Sequence, residues 1–447
     1  MLFKNKDQLI SNGQTSELKK IRTDILEIYN SAINAVDPYK VVKRHFNKNN
    51  ILIKGQSIDL SNFDNIFLAA FGKASVGMSQ AVCDSVEIKD GIVITNDTEN
   101  KVNNNNVHTF VGGHPIPNEN SYIGAEKIQE LIRQCDENDL LIVLISGGGS
   151  ALLTYPRVEL KYLQYTTNLL LKSGADINDI NTVRKHLSYV KGGQLVKNAK
   201  CKIISLIISD IIGDPLGFIS SGPTYLDSTT YLDAKEILKK YNLIEKIPES
   251  VKQVIYNGLY GNIPETPKKD DPIFKKVTNI IIANNNLACE AAKKRAEDLG
   301  YKTLLLTTSL DGEAKDIGGY LVEKVNNYNF QGMNIAFISG GETTVTIKGN
   351  GVGGRNQEMV LSTVKIIAGK NIVFSSFATD GIDGTCNAAG AIVDGFTLER
   401  SNQKNIDPID FLNDNNSFEF FKKLGDYFIT GPTGTNVMDL QIIIKYR

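Results

Sequence analysis

The stretch ISGGETTVTIKGNGVGGRNQEMVLSTVKIIAGKNIVFSSFATDGIDG, residues 338–384, decides how the rest of the chain is read. It carries three glycine-bearing segments, each beside an apolar run of strand or helix length. Ser339-Gly340-Gly341-Glu342 ends the run Ile335 to Ile338. Gly349 to Gly354 delivers Arg355 to the start of a helix expected through Met359, Leu361 and Ile366. Asp380 and Asp383 follow an expected strand, Ile372 to Ala378. In open α/β sheets, ligands collect where loops leave the carboxyl ends of strands. Glycine there lets backbone N–H groups approach an anion, and a helix N-terminus adds a favourable dipole. The stretch reads as half of a phosphate-handling site on an α/β fold.

An echo lies upstream. ISGGGSALL at 145–153 and ISGGETTVT at 338–346 both place Ser-Gly-Gly after an aliphatic strand. Two α/β halves are expected, each presenting a glycine loop to one cleft. Around the first loop, short apolar runs at 66–71, 91–95, 140–145 and 203–208 alternate with helical periodicity, the pattern of parallel βαβ units. One expected helix shows the apolar face Ile128, Leu131, Ile132 and Cys135. The proline-rich, charged segment GNIPETPKKDDP, 261–272, is the expected linker.

Composition narrows the function classes. A chain of 447 residues is too long for one ordinary core. A formal net charge of −1 makes no electrostatic case for nucleic acid or an acidic membrane. No stretch approaches the roughly 20 apolar residues of a membrane span. The N-terminus lacks the apolar core of a secretory signal, and five scattered cysteines without CxxC spacing read as reduced thiols, so a cytoplasmic enzyme is expected.

Gly349-x-Gly351-x-x-Gly354 matches the dinucleotide fingerprint only formally. That fingerprint wants a first βα turn and an acid about 20 residues on. No GxxxxGK[ST] occurs, so any nucleotide must use another cradle. Ser146-Gly147-Gly148-Gly149-Ser150 offers flexible backbone donors and two hydroxyls. Lys73, directly after a buried strand, can stabilise charge on a transferring phosphoryl group, and the fork of Arg355 suits phosphate or carboxylate. Asp210, Asp214, Asp380 and Asp383 are the candidate carboxylates for Mg²⁺ or for accepting a proton. His114 and His186 are expected to be structural or surface residues.

These residues carry a resemblance. Phe71-Gly72-Lys73-Ala74-Ser75, Gly113-His114-Pro115, Ser146 to Ala151, Arg184-Lys185-His186-Leu187-Ser188, Lys191-Gly192-Gly193 and Ser209-Asp210-x-x-Gly213-Asp214 resemble the N-terminal region of class II glycerate 2-kinases. Gly340-Gly341-Glu342, Gly353 to Glu358, Ala378 to Gly384 and Gly431 to Asn436 resemble that family's C-terminal MOFRL domain. The resemblance implies a Rossmann-like domain with a parallel sheet over 1–265, a smaller α/β MOFRL domain over 273–447, and a site in the cleft between them. It implies ATP-dependent phosphorylation of D-glycerate at its 2-hydroxyl with Mg²⁺ or another divalent cation. Lys73 and Arg355 then fall on essential basic positions, and Asp210 and Asp380 on acidic positions tied to substrate or metal. Ser146, Gly147, Gly148, Gly149, Ser150, Gly340, Gly341, Glu342 and Asn436 form the expected nucleotide-binding set. D-glycerate is the expected partner, nucleic acid and membrane are not, and a homodimer is left open. The rivals are a hydroxypyruvate reductase using NAD(P)H and a non-catalytic sensor of sugar-acid phosphates.

Overall fold

In the computed structural model, which describes residues 2–328 and 332–447, the run LLIVLI forms the strand Leu140–Ile145 and is buried at all six positions. A strand apolar on both faces needs helices on both sides, the usual setting of a central parallel strand. It sits inside a six-stranded sheet ordered Val107–Val111, Asp90–Thr95, Ile66–Phe71, Leu140–Ile145, Lys202–Ile208 and Val277–Ala283. The pairings from Val107–Val111 across to Lys202–Ile208 are all parallel. The chain starts in the middle at Ile66–Phe71, steps outward twice, then returns to build the other side. This is the doubly wound Rossmann order, and its direction reverses between Ile66–Phe71 and Leu140–Ile145. The expected helix face holds: Ile128, Leu131, Ile132 and Cys135 are buried on Glu119–Gln134 and its cap.

This sheet belongs to a unit spanning Pro38–Ile282. A second unit joins Met1–Asp37 to Ala283–Arg447. The division differs from the expected boundaries at both ends. Residues 1–37 leave the first domain, and the 261–272 segment runs inside the first unit to reach its edge strand. A buried ion network explains the first difference. Arg22 of the helix Ser16–Ala35 pairs with Asp394 at 2.5 Å and Asp426 at 2.7 Å, and Arg400 also pairs with Asp426. Nothing local in residues 16–35 announces that partner set, more than 370 positions away in sequence.

The second unit has a mixed sheet in the order Lys302–Leu310, Ile335–Gly341, Asp439–Lys445, Ile372–Ala378 and Gly390–Asp394. Only the first pairing is parallel. The last strand of the chain is thus inserted antiparallel at the centre. Its amino end therefore lies beside the carboxyl ends of two neighbours, with Asp439 opposite both Gly341 and Ala378. Six of its seven residues are buried, so the alternation apparent from 437 to 444 is overridden by cover on both faces.

Candidate active site

In the first unit, the switch point gathers the loops that follow Ile66–Phe71 and Leu140–Ile145. The Lys73 amide donates to Gly147 O at 2.8 Å, and the Ala74 amide donates to Ser146 Oγ at 3.1 Å. Each glycine of the loop is hemmed in. A Cβ on Gly147 would stand 2.3 Å from Asp210 Oδ2, and one on Gly149 would stand 2.2 Å from Ser220 Oγ. Gly148 has φ +81°, and a Cβ there would meet the His114 ring at 3.0 Å and Lys73 Cγ at 3.2 Å. Lys73, His114, Asp210 and Ser220 therefore surround one loop. His114, expected to be structural or superficial, has its ring on this loop even though it is exposed. His186 does have a structural setting. It is fully buried against Tyr231, its Nδ1 is 2.8 Å from Thr182 O, and its Nε2 faces Glu265.

The loop leads into a single short turn of helix, Gly149–Leu152, and a longer helix, Leu160–Lys172, follows. The loop's environment comes from hydroxyls and cations instead of a helix dipole. Ser150 Oγ lies 2.8 Å from Ser221 Oγ, which donates to Asn181 Oδ1 at 3.2 Å. Ser220 and Ser221 hold φ values of +52° and +63°. Two adjacent non-glycine residues in the left-handed region store strain, which concentrates at functional sites. Neither serine stands out in the sequence, because nothing in the string SSGPT announces a positive φ at serine.

In the second unit, Arg355 opens the helix Arg355–Thr363 and points its fork at Asp439. Nε and Nη2 contact the two carboxylate oxygens at 2.5 and 3.0 Å, and Nη1 lies 2.6 Å from Glu342. Burial pushes the Asp439 carboxyl up to about 7 against the pull of the guanidinium. These ion pairs raise Arg355 above its ordinary value in spite of burial. Asp439 is a functional candidate missed at the sequence level, where its only signal was a lone carboxylate at the head of an aliphatic strand. Arg355, Glu342 and Glu358 line a cavity of about 480 Å³ with Thr343, Thr385 and Asn415.

Three expectations for this unit change. Gly340 and Gly341 form no open loop; they are buried strand residues paired with Leu440 and Asp439. A Cβ on Gly340 would strike Asn285 Oδ1 at 2.0 Å, so the glycine is there for a close helix approach. The Gly349–Gly354 segment, expected to offer backbone N–H groups to an anion, has them largely engaged. The amides of Lys348, Gly349, Asn350 and Val352 are all taken by the side chains of Asp414, Asn415 and Asn416. Asp383 is no metal ligand either. It is buried and accepts from the amides and side chains of Asn356 and Gln357, which makes it the cap of the Arg355 helix. Asp380 accepts from the Ile382 amide in a tight turn. Asn436 caps the approach to the last strand through the Met438 amide, and Thr433 ties that loop to Thr379 and Asp380.

Among the described residues, no group of three or more His, Cys, Asp or Glu gathers to hold a metal ion. None of the helices there is long and apolar enough to cross a membrane, and all five cysteines are free.

A Rossmann-ordered unit with a glycine loop at its switch point, joined in one chain to a mixed-sheet unit, defines a two-domain α/β protein, and comparison with known proteins agrees. The model of a domain of unknown function, DUF4147, matches residues 24–256, and that of the MOFRL family matches 335–439. The chain is 43% identical to the glycerate 2-kinase of Pyrococcus horikoshii over 95% of its own length and 97% of that protein. It is 39% identical to the D-glycerate 2-kinase of Thermotoga maritima, covering 95% and 98% of the two chains. A crystal structure of glycerate kinase from Thermotoga maritima superposes with a TM-score of 0.83 at 37% identity, covering 96% of this chain and all of that one. The chain belongs to the glycerate 2-kinase family.

Proposed function

We propose that this protein transfers the terminal phosphoryl group of ATP to the 2-hydroxyl of D-glycerate, giving 2-phosphoglycerate and ADP. The observation that carries the reading is the arrangement at the switch point, where Lys73 and Asp210 both pack on the Ser146–Ser150 loop. The reading is supported by relatives of that name aligned over nearly the whole chain.

In this mechanism, the Ser146–Ser150 backbone and hydroxyls receive nucleotide phosphates, and the Lys73 ammonium offsets the charge that develops in transfer. Arg355, oriented by Asp439, binds the substrate carboxylate or the moving phosphoryl group, and Glu342 gives way to that anion. Asp210 or Asp380 accepts the hydroxyl proton. Nucleotide-borne Mg²⁺ needs only one or two protein carboxylates, and Asp210, lying against Gly147, fits that need at the loop, with Asp380 as the second candidate. Such a cation, when bound, supplies charge neutralisation. Catalysis of this kind is mostly positioning and charge stabilisation. The protein is assigned to the cytoplasm in keeping with its free thiols.

Phosphorus NMR of the product made from D-glycerate, ATP and Mg²⁺ tests activity and regiochemistry together. A 2-phosphoglycerate signal is expected. A 3-phosphoglycerate signal, or none, refutes the assignment.

A further inference from the structure

Two cations converge on the Ser150 carbonyl. Arg184 Nη2 donates to Ser150 O at 2.8 Å, and Lys191 Nζ donates to the same oxygen at 2.7 Å and to Leu153 O at 3.1 Å. Among the described residues, no Asp or Glu forms an ion pair with either side chain. The contrast with their neighbour is direct, since Lys185 on the same helix has Asp227 at 3.2 Å. Lys191 is 1% exposed, and Arg184 Nε is buried without a hydrogen-bond partner. Burial lowers both cations from their ordinary values, and for Lys191 the adjacent Arg184 adds to the effect. A pair of like charges in a low-dielectric site costs free energy unless an anion completes it.

The helix dipole favours a cation in the last helical turn, but Arg184 turns away from its own helix to the Ser150 carbonyl. Lys191 alone could be a neutral amine tying two carbonyls. That leaves unexplained why a second cation is added at the same oxygen. Ser220 and Ser221 press on this loop in the left-handed conformation, so the strain and the unbalanced charge coincide.

We propose that Arg184, backed by Lys191, is an oxyanion-binding residue that extends the Ser146–Ser150 loop into a subsite for a phosphate or carboxylate group. The inference rests on the kinase reading for the identity of the anion, which is either a nucleotide phosphate or the substrate carboxylate. Arg184 is partly exposed, whereas Lys191 is buried.

The test uses the full chain, with Arg184→Gln and Arg184→Lys beside the wild type. Thermal unfolding is followed with inorganic phosphate and with D-glycerate separately, and KM is measured for ATP and for D-glycerate. Loss of one charge-assisted contact should raise one KM by about tenfold to a hundredfold in Arg184→Gln. Arg184→Lys should recover part of that loss. A rise confined to ATP, with lost protection by phosphate, assigns the subsite to the nucleotide. A rise confined to D-glycerate, with lost protection by D-glycerate, assigns it to the acid. Unchanged KM values and unchanged protection in Arg184→Gln overturn the proposal, even if its melting temperature falls. A wild type that turns over no glycerate would sink the kinase reading alone, because protection by phosphate that is lost in Arg184→Gln would still support the subsite. Absence of protection by either probe in such a wild type would overturn both.

Discussion

Arg355 holds Asp439 side-on, through Nε at 2.5 Å and Nη2 at 3.0 Å, and both residues sit on rigid elements of one unit. Asp439 heads the central strand with its side chain 1% exposed, whereas Glu342, the other partner, is 42% exposed. The buried carboxylate is therefore the fixed support, and Glu342 is the replaceable one. Asp439→Asn keeps the shape and removes the charge, so kcat should fall by roughly tenfold to a hundredfold while KM for ATP moves less. With the Asp439 carboxyl raised to about 7, ionisation on going above that pH strengthens the grip on Arg355. The wild-type rate should then rise with pH through this region, and Asp439→Asn should lose that limb. A purely structural role would lower the melting temperature and leave the pH profile as it was. Steady-state kinetics on both sides of neutral pH decides the matter.

The Lys73 amide donates to Gly147 O, a backbone contact that survives loss of the side chain. Lys73→Ala removes the ammonium group from the loop. It should cut turnover of glycerate on the order of a hundredfold or more, as losing a preorganised charge does elsewhere. Wild-type turnover in this variant would remove Lys73 from the mechanism.

Gly147 tests the role of Asp210 without touching its charge. An alanine Cβ would arrive 2.3 Å from Asp210 Oδ2, a distance that forces the carboxylate aside. The Gly147 φ is not in the left-handed region, so the backbone itself tolerates alanine. Gly147→Ala should reduce the rate by about tenfold or more. A matching loss in Asp210→Asn, not additive with the first, would tie both effects to one group.

How much of this was legible in the sequence depends on the range of the determining interaction. The strand at 140–145, the helix face from Ile128 to Cys135 and the position of Lys73 follow from periodicity and nearest neighbours, and the structure has each in place. The glycines were readable as constraints but not as to their cause. At Gly340 the cause is Asn285, and at Gly349 and Gly351 it is the backbone around Asp414 to Asn416, far along the chain. Asp383 looked like chemistry because it lies in a glycine-rich turn, yet its four bonds go to Asn356 and Gln357. Asp439 looked like a strand boundary, and only the antiparallel insertion of the last strand brings it to Arg355. Pairings of this kind lie beyond any local pattern.

The membership of residues 1–37 in the second unit rests on a charge network with no solvent to soften its loss. Arg22, Asp394 and Asp426 are all fully buried. Burial alone would raise the Asp426 carboxyl, but Arg22 and Arg400 together hold it below its ordinary value. A carboxyl depressed in the native state contributes stability that is present above its unfolded value, about 4, and is lost as pH falls through the native one. Asp426→Ala leaves Arg22 with a single carboxylate and should cost about 3–5 kcal/mol at neutral pH. Its stability should also fall less steeply on acidification than that of the wild type. Urea unfolding of both proteins at neutral pH and at about pH 3, below the unfolded carboxyl value, measures the two differences. A variant as stable as the wild type at neutral pH would show that the N-terminal helix is held by its apolar face alone.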